Sequence, residues 1–275
     1  MKTKTVKGKT TTDSVDIEPV NMTRVAFAIL GATPLIYHAV SEKARCQLML
    51  PEVKTKGGRR TTLKHNPPEE YRDSVYRTED NKAPTRLVLP SVMFKAALRS
   101  VALDMEGSSK SAIGRLTFVE GDYVSLYGVP KLLMSVVRNS DPGRTPDIRT
   151  RAIVPEWACQ ISIKYATPLL REKSIANLLS AAGQLRGIGD WRQEKGSGNY
   201  GTFEIVPITD PRYQAIVKSG GRKAQDEALA EPTPYDTDSA KLLSYFHQEV
   251  ARRGFNSGEP LGGNRLAEVL NGVEA

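Results

Sequence analysis

The chain has 275 residues, 25% charged and 39% hydrophobic, a composition typical of a globular protein with a sizeable core. Its formal net charge of +8 makes a polyanion the expected partner, nucleic acid before an anionic membrane. The two cysteines and three histidines follow no metal-ligand pattern, and no apolar run reaches the ~20 residues of a membrane span. We therefore expect no cofactor, no metal and no membrane partner, and a cytoplasmic location because the basic amino terminus lacks a secretory apolar segment.

The first third of the chain is predicted to contain one core strand and much peripheral chain. Residues 1–20 are basic and are expected to form a flexible tail, either touching a phosphate backbone or uninvolved. An apolar run over 23–30 predicts a buried strand ending at Gly31. After a helix-compatible start, residues 34–86 are polar and poor in apolar side chains, which predicts a surface insertion. Its Arg59 and Arg60 are candidate phosphate-binding cations.

The run "LPSVMFKAALRSVA", residues 89–102, predicts a helix that begins after Pro90. Lys95 and Arg99 are four residues apart and so share one face of this helix. They are either a pair of cations aimed at phosphates or an ordinary solvated face. Two strands are expected next, over 118–127 and 131–138.

A basic hairpin is predicted over residues 138–151. It carries four cations: Arg138, Arg144, Arg149 and Arg151. A long basic hairpin contributes little to a core but can clamp a nucleic-acid strand, and the alternative is an ordinary exposed turn. A strand over 152–166 and a strongly amphipathic helix over 168–185 follow.

A glycine-rich loop then leads into a strand over 202–207. Its glycines are Gly187, Gly189, Gly196, Gly198 and Gly201. A dinucleotide-binding loop follows a strand and opens a helix, whereas this loop has the reverse order, which disfavours a mononucleotide pocket. Glycines permit positive φ and a close approach of backbone N–H groups to phosphates, and Arg186, Arg192 and Lys195 add charge. A flexible connector is the alternative.

The core elements in order are strand, helix, strand, strand, helix, strand. This order predicts an α+β fold with a ferredoxin-like (split βαβ) core over 21–208, a thumb-like hairpin and a surface insertion. Residues 209–275 are predicted to be a linker and a C-terminal helical extension. Within them, 218–239 are linker-like in composition, and 238–253 form a capped helix.

Three segments carry a resemblance to a known family. Residues 89–102 resemble the helix-entry segment of the RAMP superfamily of CRISPR systems. "RTRAIVPEWACQISIKYA", residues 149–166, is similar to the segment after the thumb hairpin in backbone subunits of type III and type IV effector complexes. The glycine-rich loop fits the position that such a loop takes between the second helix and the last strand of that fold.

The resemblance implies a backbone subunit that polymerises along a guide RNA, with further copies of itself and other effector subunits as partners. It places Arg138, Arg149 and Arg151 in the thumb and Lys95 and Arg99 in the palm. The glycine-rich loop would touch the RNA backbone or the next protomer. The type III branch cleaves target RNA with an aspartate soon after the first strand, and residues 31–43 contain none, so catalysis by that route is not expected.

Two alternatives remain open. The first is a stand-alone protein of a phage or plasmid that coats single-stranded DNA or RNA without a guide. The second is a metal-independent endoribonuclease, because related processing enzymes use a histidine in the early region that here contains His38. His38 would act as general base on a ribose 2′-hydroxyl. Its apolar surroundings and the lack of a visible partner acid favour a structural role.

Overall fold

The structure, a computed structural model, describes residues 19–40, 49, 64–138, 143–195 and 198–254, and these form an α+β fold. The strands are β1 (Asn21–Gly31), β2 (Leu35–Ile36), β3 (Val88–Pro90), β4 (Thr117–Val119), β5 (Tyr123–Tyr127), β6 (Lys131–Arg138), β7 (Pro146–Val154), β8 (Ala158–Thr167) and β9 (Phe203–Val206). The α-helices are α1 (Pro67–Asp73), α2 (Ser91–Val101), α3 (Lys110–Leu116), α4 (Glu172–Leu185), α5 (Pro211–Ser219), α6 (Arg222–Ala230) and α7 (Thr237–Arg253). None of these helices is both long enough and apolar enough to cross a membrane.

The larger sheet is antiparallel, with strand order β3-β5-β8-β1-β9 and β4 also beside β8. β1 occupies its interior because its second half is apolar on both faces. Phe27 and Ile29 belong to the main core, whereas Ala28 and Leu30 belong to a second cluster on the opposite face. Side chains alternate along a strand, so a continuous apolar run is expected where a sheet is covered on both sides.

Different helices cover the two faces of this sheet. On the first face, α2 and α4 contact each other, and their apolar stripes join the main core through residues such as Phe94 and Leu179. On the second face, α5 covers only the end of the sheet near Leu30, where Tyr213 packs on Ala158. The other end of the second face is therefore not covered by α5.

The basic hairpin belongs to a second, three-stranded sheet of order β2-β7-β6. β6 and β7 pair from Lys131 opposite Ile153 to Arg138 opposite Pro146. The outer edge of β6 is also occupied at its base. Residue 132 exchanges backbone hydrogen bonds of 2.8 Å with residues 233 and 235, and Ser239 Oγ accepts from the backbone N–H of Met134 at 3.0 Å. The C-terminal part of the chain thus runs along the hairpin.

The prediction of a linker over residues 218–239 is wrong, because this stretch contains α6 and is packed. Gln225 is completely buried, and its side-chain oxygen accepts from the backbone N–H groups of Arg86 and Leu87 at 2.7 and 2.9 Å. Its amide nitrogen donates to the carbonyl oxygens of Leu126, Gly128 and Gly220. The polar composition was misleading because the segment is docked by a buried amide as well as by apolar side chains.

The described parts of 34–86 are also more than a surface insertion. Leu35 and Tyr37 are buried, and Leu35 lies in β2 rather than in a helix. Tyr71 of α1 is completely buried, and its hydroxyl donates to the carbonyl oxygens of Pro130 and Ala228 at 3.2 and 3.1 Å. A few well-placed aromatic residues anchor a polar segment that hydrophobicity alone assigns to the surface.

Candidate nucleic-acid interface

The glycine-rich loop is docked on the start of the chain's second strand. The backbone N–H of Asp190 donates to the carbonyl oxygen of Ile36 at 2.9 Å, and that of Gly201 donates to Pro34 at the same distance. Within the loop, the N–H of Ile188 donates to Gly201, also at 2.9 Å. Such bonds at both ends do not fit a flexible connector for the described part of the loop, 187–195 and 198–201.

Two glycines show why this docking needs glycine. Gly201 has φ +71, and a Cβ there would lie 1.7 Å from the carbonyl oxygen of Ile188. Gly189 has φ +83, and its Cβ would lie 2.6 Å from the carbonyl oxygen of Ile36. Both positions combine a left-handed backbone with contacts that leave no room for a side chain. Gly187 (φ +66) and Gly198, next to the carbonyl oxygen of Trp191, lie in the same docked loop, and Gly196 lies outside the described residues.

The docked loop brings three sequence-predicted residues together around one that was not predicted. His38 follows β2, Arg151 lies on β7 of the hairpin, and Arg192 lies in the loop. The charges of Arg151 and Arg192 both act on the His38 imidazole. The unpredicted member is Asp190, whose carboxylate lies 3.6 Å from Arg151 Nε. We call His38, Arg151, Asp190 and Arg192 the convergence site.

The convergence site contains polar atoms with unfilled hydrogen-bonding capacity. His38 Nδ1 and Arg151 Nε are buried and have no hydrogen-bond partner among the described residues. The 3.6 Å separation between Arg151 and Asp190 is an ion pair but too long for a hydrogen bond. Buried polar groups are nearly always paired, so two unpaired polar atoms at one site indicate a partner such as a water or an anion.

The surroundings of the site favour the neutral form of His38. Burial lowers the pKa of His38, Asp190 opposes the shift, and Arg192 and Arg151 add to it. Burial also lowers the pKa of Arg151, which Asp190 partly offsets, and an arginine pKa has far to fall before the charge is lost. At neutral pH the site therefore offers a neutral imidazole beside two guanidinium groups.

The loop is also tied to the C-terminal end of α2. The Ser100 hydroxyl donates to Glu194, and Arg192 donates to the same carboxylate at 2.9 Å and to the carbonyl oxygen of Gly189 at 3.0 Å. Arg186 pairs with Asp104 just beyond α2. Burial raises the pKa of Glu194, but the hydrogen bonds from Ser100 and Arg192 outweigh it and the net shift is downward. Two of the predicted loop cations are thus held by internal carboxylates.

The cations of the hairpin are divided between its two faces. Because side chains alternate, Arg149 and Arg151 share one face of β7, and the register places Arg138 on the opposite face near the turn. Arg144 is exposed beside the turn and has φ +46. On the face of Arg149, Asp147 accepts from Lys64 at 2.6 Å, and this bond is the main cause that lowers the Asp147 pKa to about 2.

The two candidate cations of α2 have local contacts. Lys95 Nζ lies 5.7 Å from the centre of the exposed Phe118 ring, a cation–π distance. Arg99 is exposed, and its side chain packs against Gly114 of α3. A Cβ at Gly114 would lie 2.8 Å from Arg99 Nε. Of the remaining candidates, Lys195 ends a short 3-10 helix over Gln193–Lys195, and Arg59 and Arg60 lie outside the described residues.

Sequence reasoning identified the basic residues but missed their acidic partners. Asp190 and Glu194 lie in the same glycine-rich loop as Arg192. This alternation of acidic and basic residues is the sequence feature that indicates their pairing. In the described ranges, no three His, Cys, Asp or Glu side chains are grouped so that they can hold a metal ion. The site is therefore described by its arginines, its histidine and their two carboxylates.

No protein-family model and no curated protein matches this chain. Among solved structures, the chain is similar to a chain of "Cryo-EM structure of the Type III-B Cmr-beta bound to cognate target RNA", with 16% sequence identity and a TM-score of 0.39. The match covers 68% of this chain and 59% of that chain, so this protein spans less than two thirds of its neighbour's length. Likeness at this level carries no conclusion about function, which has to rest on the residues of this chain.

Proposed function

We propose that this protein binds single-stranded nucleic acid, guide RNA in the first place, as a non-catalytic backbone subunit that oligomerises along the strand in a CRISPR-type ribonucleoprotein of the cytoplasm. The observation that carries the proposal is the convergence site. It unites the basic hairpin and the glycine-rich loop, the two segments selected from the sequence for contact with a phosphate chain, with His38, the candidate general base. The resemblance to the RAMP superfamily supports the same assignment.

The strand order supports the ferredoxin-like part of the proposal. If β1, β5, β8 and β9 are taken as the core strands, α2 lies between the first two in sequence and α4 between the last two. All neighbouring pairs are antiparallel, in the spatial order β5-β8-β1-β9. This matches a split βαβ arrangement with two helices on one face and the hairpin as an addition between β5 and β8.

The chemistry of the convergence site fits a phosphate. A phosphate oxygen accepts hydrogen bonds from guanidinium groups, and Arg151 Nε is a buried donor without an acceptor in the described part of the chain. The 3.6 Å ion pair of Arg151 with Asp190 is too long for a hydrogen bond. A phosphate can therefore replace the Asp190 carboxylate beside Arg151 without breaking a hydrogen bond between the two side chains. Arg149 on the same face of β7 extends the positive surface towards the hairpin turn.

The proposed partners are single-stranded RNA, other copies of the chain and other effector subunits. Single-stranded DNA is a possible ligand because phosphate contacts alone do not distinguish the two sugars. The alternative of a stand-alone coating protein uses the same site and differs only in requiring no guide. RNA of a defined guide sequence found with the protein purified from its host supports the first; mixed-sequence RNA or DNA supports the second.

Binding of single-stranded RNA of increasing length tests the proposal directly. We expect affinity to rise with length, as it does when protomers bind side by side, and to fall steeply with salt. Arg151→Ala should weaken binding about tenfold and reduce the slope of log K against log salt by about 0.7, the value for one contact with a single strand. Lys223→Ala removes a 92% exposed cation of α6 and serves as the matched charge control.

Length-independent binding, or equal affinities of wild type and Arg151→Ala in the presence of normal folding, would contradict the proposal. Electron microscopy of the protein mixed with long RNA provides a separate test of oligomerisation. Regular filaments are expected, and isolated particles bound to long RNA would contradict the backbone-subunit role while leaving nucleic-acid binding intact.

A second candidate function, metal-independent RNA cleavage, is favoured by one observation at the same site. His38 has a lowered pKa and an unpartnered Nδ1, and Asp190, Arg151 and Arg192 act on it electrostatically. A neutral imidazole can take the proton of a ribose 2′-hydroxyl, whose oxygen then attacks the adjacent phosphorus and expels the 5′-oxygen of the next nucleotide. The leaving 5′-oxygen takes up a proton from the solvent, and the imidazolium releases its proton to the solvent. The products would be a 2′,3′-cyclic phosphate and a free 5′-hydroxyl.

Cleavage is tested with RNA and with the same sequence carrying a single 2′-deoxyribose. An enzyme of this kind cleaves the RNA in the presence of a chelator, leaves the deoxy-substituted position intact, and loses activity in His38→Ala. Unchanged cleavage by His38→Ala, or none by wild type, excludes this candidate and leaves the binding proposal standing.

A further inference from the structure

The uncovered end of the larger sheet's second face holds a groove of about 560 Å³. Its floor is formed by β5 and β8, and α5 forms one wall. Its lining includes Arg24, Glu120, Tyr123, Ser125, Gln160 and Ser162. Small-molecule sites commonly have volumes of this order and a few polar groups that fix orientation.

The groove is separate from the convergence site. The glycine-rich loop is bonded to the chain just after Gly31, at the C-terminal end of β1, whereas Arg24 lies seven residues earlier on the same strand. At about 3.3 Å per residue, these two positions are roughly 20 Å apart. Anything bound in the groove therefore uses a second set of contacts.

The floor of the groove offers hydrogen-bonding groups that no described residue uses. Gln160 is exposed on β8, and its amide has no hydrogen bond to any described residue. The hydroxyl groups of Ser125 and Ser162 lie beside it in the same lining. An amide that both donates and accepts matches the paired donor and acceptor edges of a nucleobase.

Aromatic and apolar surface adjoins these polar groups. Tyr123 is 59% exposed at the groove, and Tyr127 is a second half-exposed tyrosine on the same strand. Ile208, which is 52% exposed, and Val217 of α5 add apolar lining. Exposed aromatic faces next to polar groups are the surfaces on which nucleobases stack, and stacking tolerates any base because each has a π-face.

The rim of the groove carries a surplus of positive charge. Glu120 accepts from Arg24 Nε at 2.5 Å and from Lys164 Nζ at 2.9 Å, so two cations share one carboxylate. Its bond with Arg24 is the main cause that lowers the Glu120 pKa to about 2, which keeps the carboxylate ionised. The two terminal nitrogens of Arg24 have no partner among the described residues, and the side chain is 66% exposed. They can bind a phosphate without loss of the Glu120 pair.

We infer that this groove binds one nucleotide, with its base against Tyr123 and hydrogen-bonded to Gln160 and its phosphate on Arg24. The register places Gln160 opposite Ala28, four residues from Arg24 on β1, so the amide and the cation are roughly 13 Å apart along the strands. The ligand is either a free mononucleotide or one nucleotide of a single strand, since both have the same chemistry. The inference is independent of the guide-RNA proposal, because the groove shares no residue with the convergence site.

Titration calorimetry with the four ribonucleoside monophosphates and with a short single-stranded RNA tests the groove. We expect Gln160→Ala and Arg24→Ala each to weaken binding about tenfold, the value of one good base or phosphate contact. Lys223→Ala should bind as wild type, and Arg151→Ala should bind mononucleotides as wild type. Both groove substitutions are at exposed positions, and thermal unfolding of each variant checks that the fold is kept.

Weakened binding of both mononucleotide and RNA identifies a free nucleotide as a ligand of the groove. Weakened binding of RNA alone identifies a nucleotide within a strand. Wild-type affinity of Gln160→Ala and Arg24→Ala for every ligand overturns the inference, as does a wild type that binds neither. If Arg151→Ala alone loses RNA binding, the guide-RNA proposal stands and the groove proposal falls.

Discussion

Gln225 provides a quantitative test of how α6 is held in the fold. Its side-chain oxygen is the acceptor for two backbone N–H groups, those of Arg86 and Leu87, at 2.7 and 2.9 Å. Gln225→Met keeps the length of the side chain and removes the acceptor and both donors. Each buried donor left without a partner costs about 1–3 kcal/mol, so we expect the free energy of unfolding to fall by about 4 kcal/mol.

Urea unfolding followed by circular dichroism measures this loss as a lower midpoint with an unchanged slope. Gln248→Met is the matched control, because Gln248 is an exposed glutamine of α7 with one 3.3 Å hydrogen bond to Ser244. We expect its effect to stay within about 0.5 kcal/mol. A loss below about 1 kcal/mol in Gln225→Met would refute the reasoning, since it would mean that the two N–H groups find other partners or that α6 is not docked.

Three further predictions concern the loop, the histidine and the hairpin. Gly201→Ala should lower the free energy of unfolding by more than about 3 kcal/mol. The control Gly107→Ala, at a position with φ +73 and nothing within 4 Å, should cost only the ~1 kcal/mol of backbone strain. Equal losses in the two variants would contradict the close contact of residue 201 with the Ile188 carbonyl. Because His38 has a lowered pKa in the fold, the unfolded chain binds its proton first, so stability is complete above the ordinary value of 6.5 and falls as the pH drops from 6.5 towards the folded pKa. His38→Gln should flatten that part of the pH–stability curve, and an unchanged slope would contradict the shift. Ser239→Ala should cost about 1–2 kcal/mol because the buried N–H of Met134 loses its acceptor, which urea unfolding will measure.

Sequence periodicity predicted the core elements that bury an apolar stripe. The helix expected after Pro90 is α2, and the strongest amphipathic pattern is α4, which begins at Glu172 rather than at Pro168. The strand expected over 118–127 is divided into β4 and β5, with Gly121 between them at φ +76. These elements could be predicted because their buried faces show as local patterns, with apolar residues three or four positions apart in helices and two positions apart in strands.

The docking of polar segments was not accessible from the sequence in the same way. Gln225 is buried because backbone groups near Arg86 and on β5, more than ninety residues away, converge on its amide. No local pattern distinguishes such a glutamine from a solvated one. The same holds for Asp190, which meets Arg151 only because the glycine-rich loop folds back on β2. The cations of the site were identifiable from charge, but their partners required the tertiary fold.

The covering of the hairpin's base by residues 233–239 has a consequence for aggregation and assembly. A sheet edge with free N–H and C=O groups recruits strands from other molecules. Here the outward amides of Leu132 and Met134 are already bonded to the chain's own backbone at Thr233 and to the Ser239 hydroxyl. The next amides with the same orientation along β6 are those of Val136 and Arg138. Strand addition from a neighbouring molecule is thus blocked at the root of the hairpin and can take place only towards its turn.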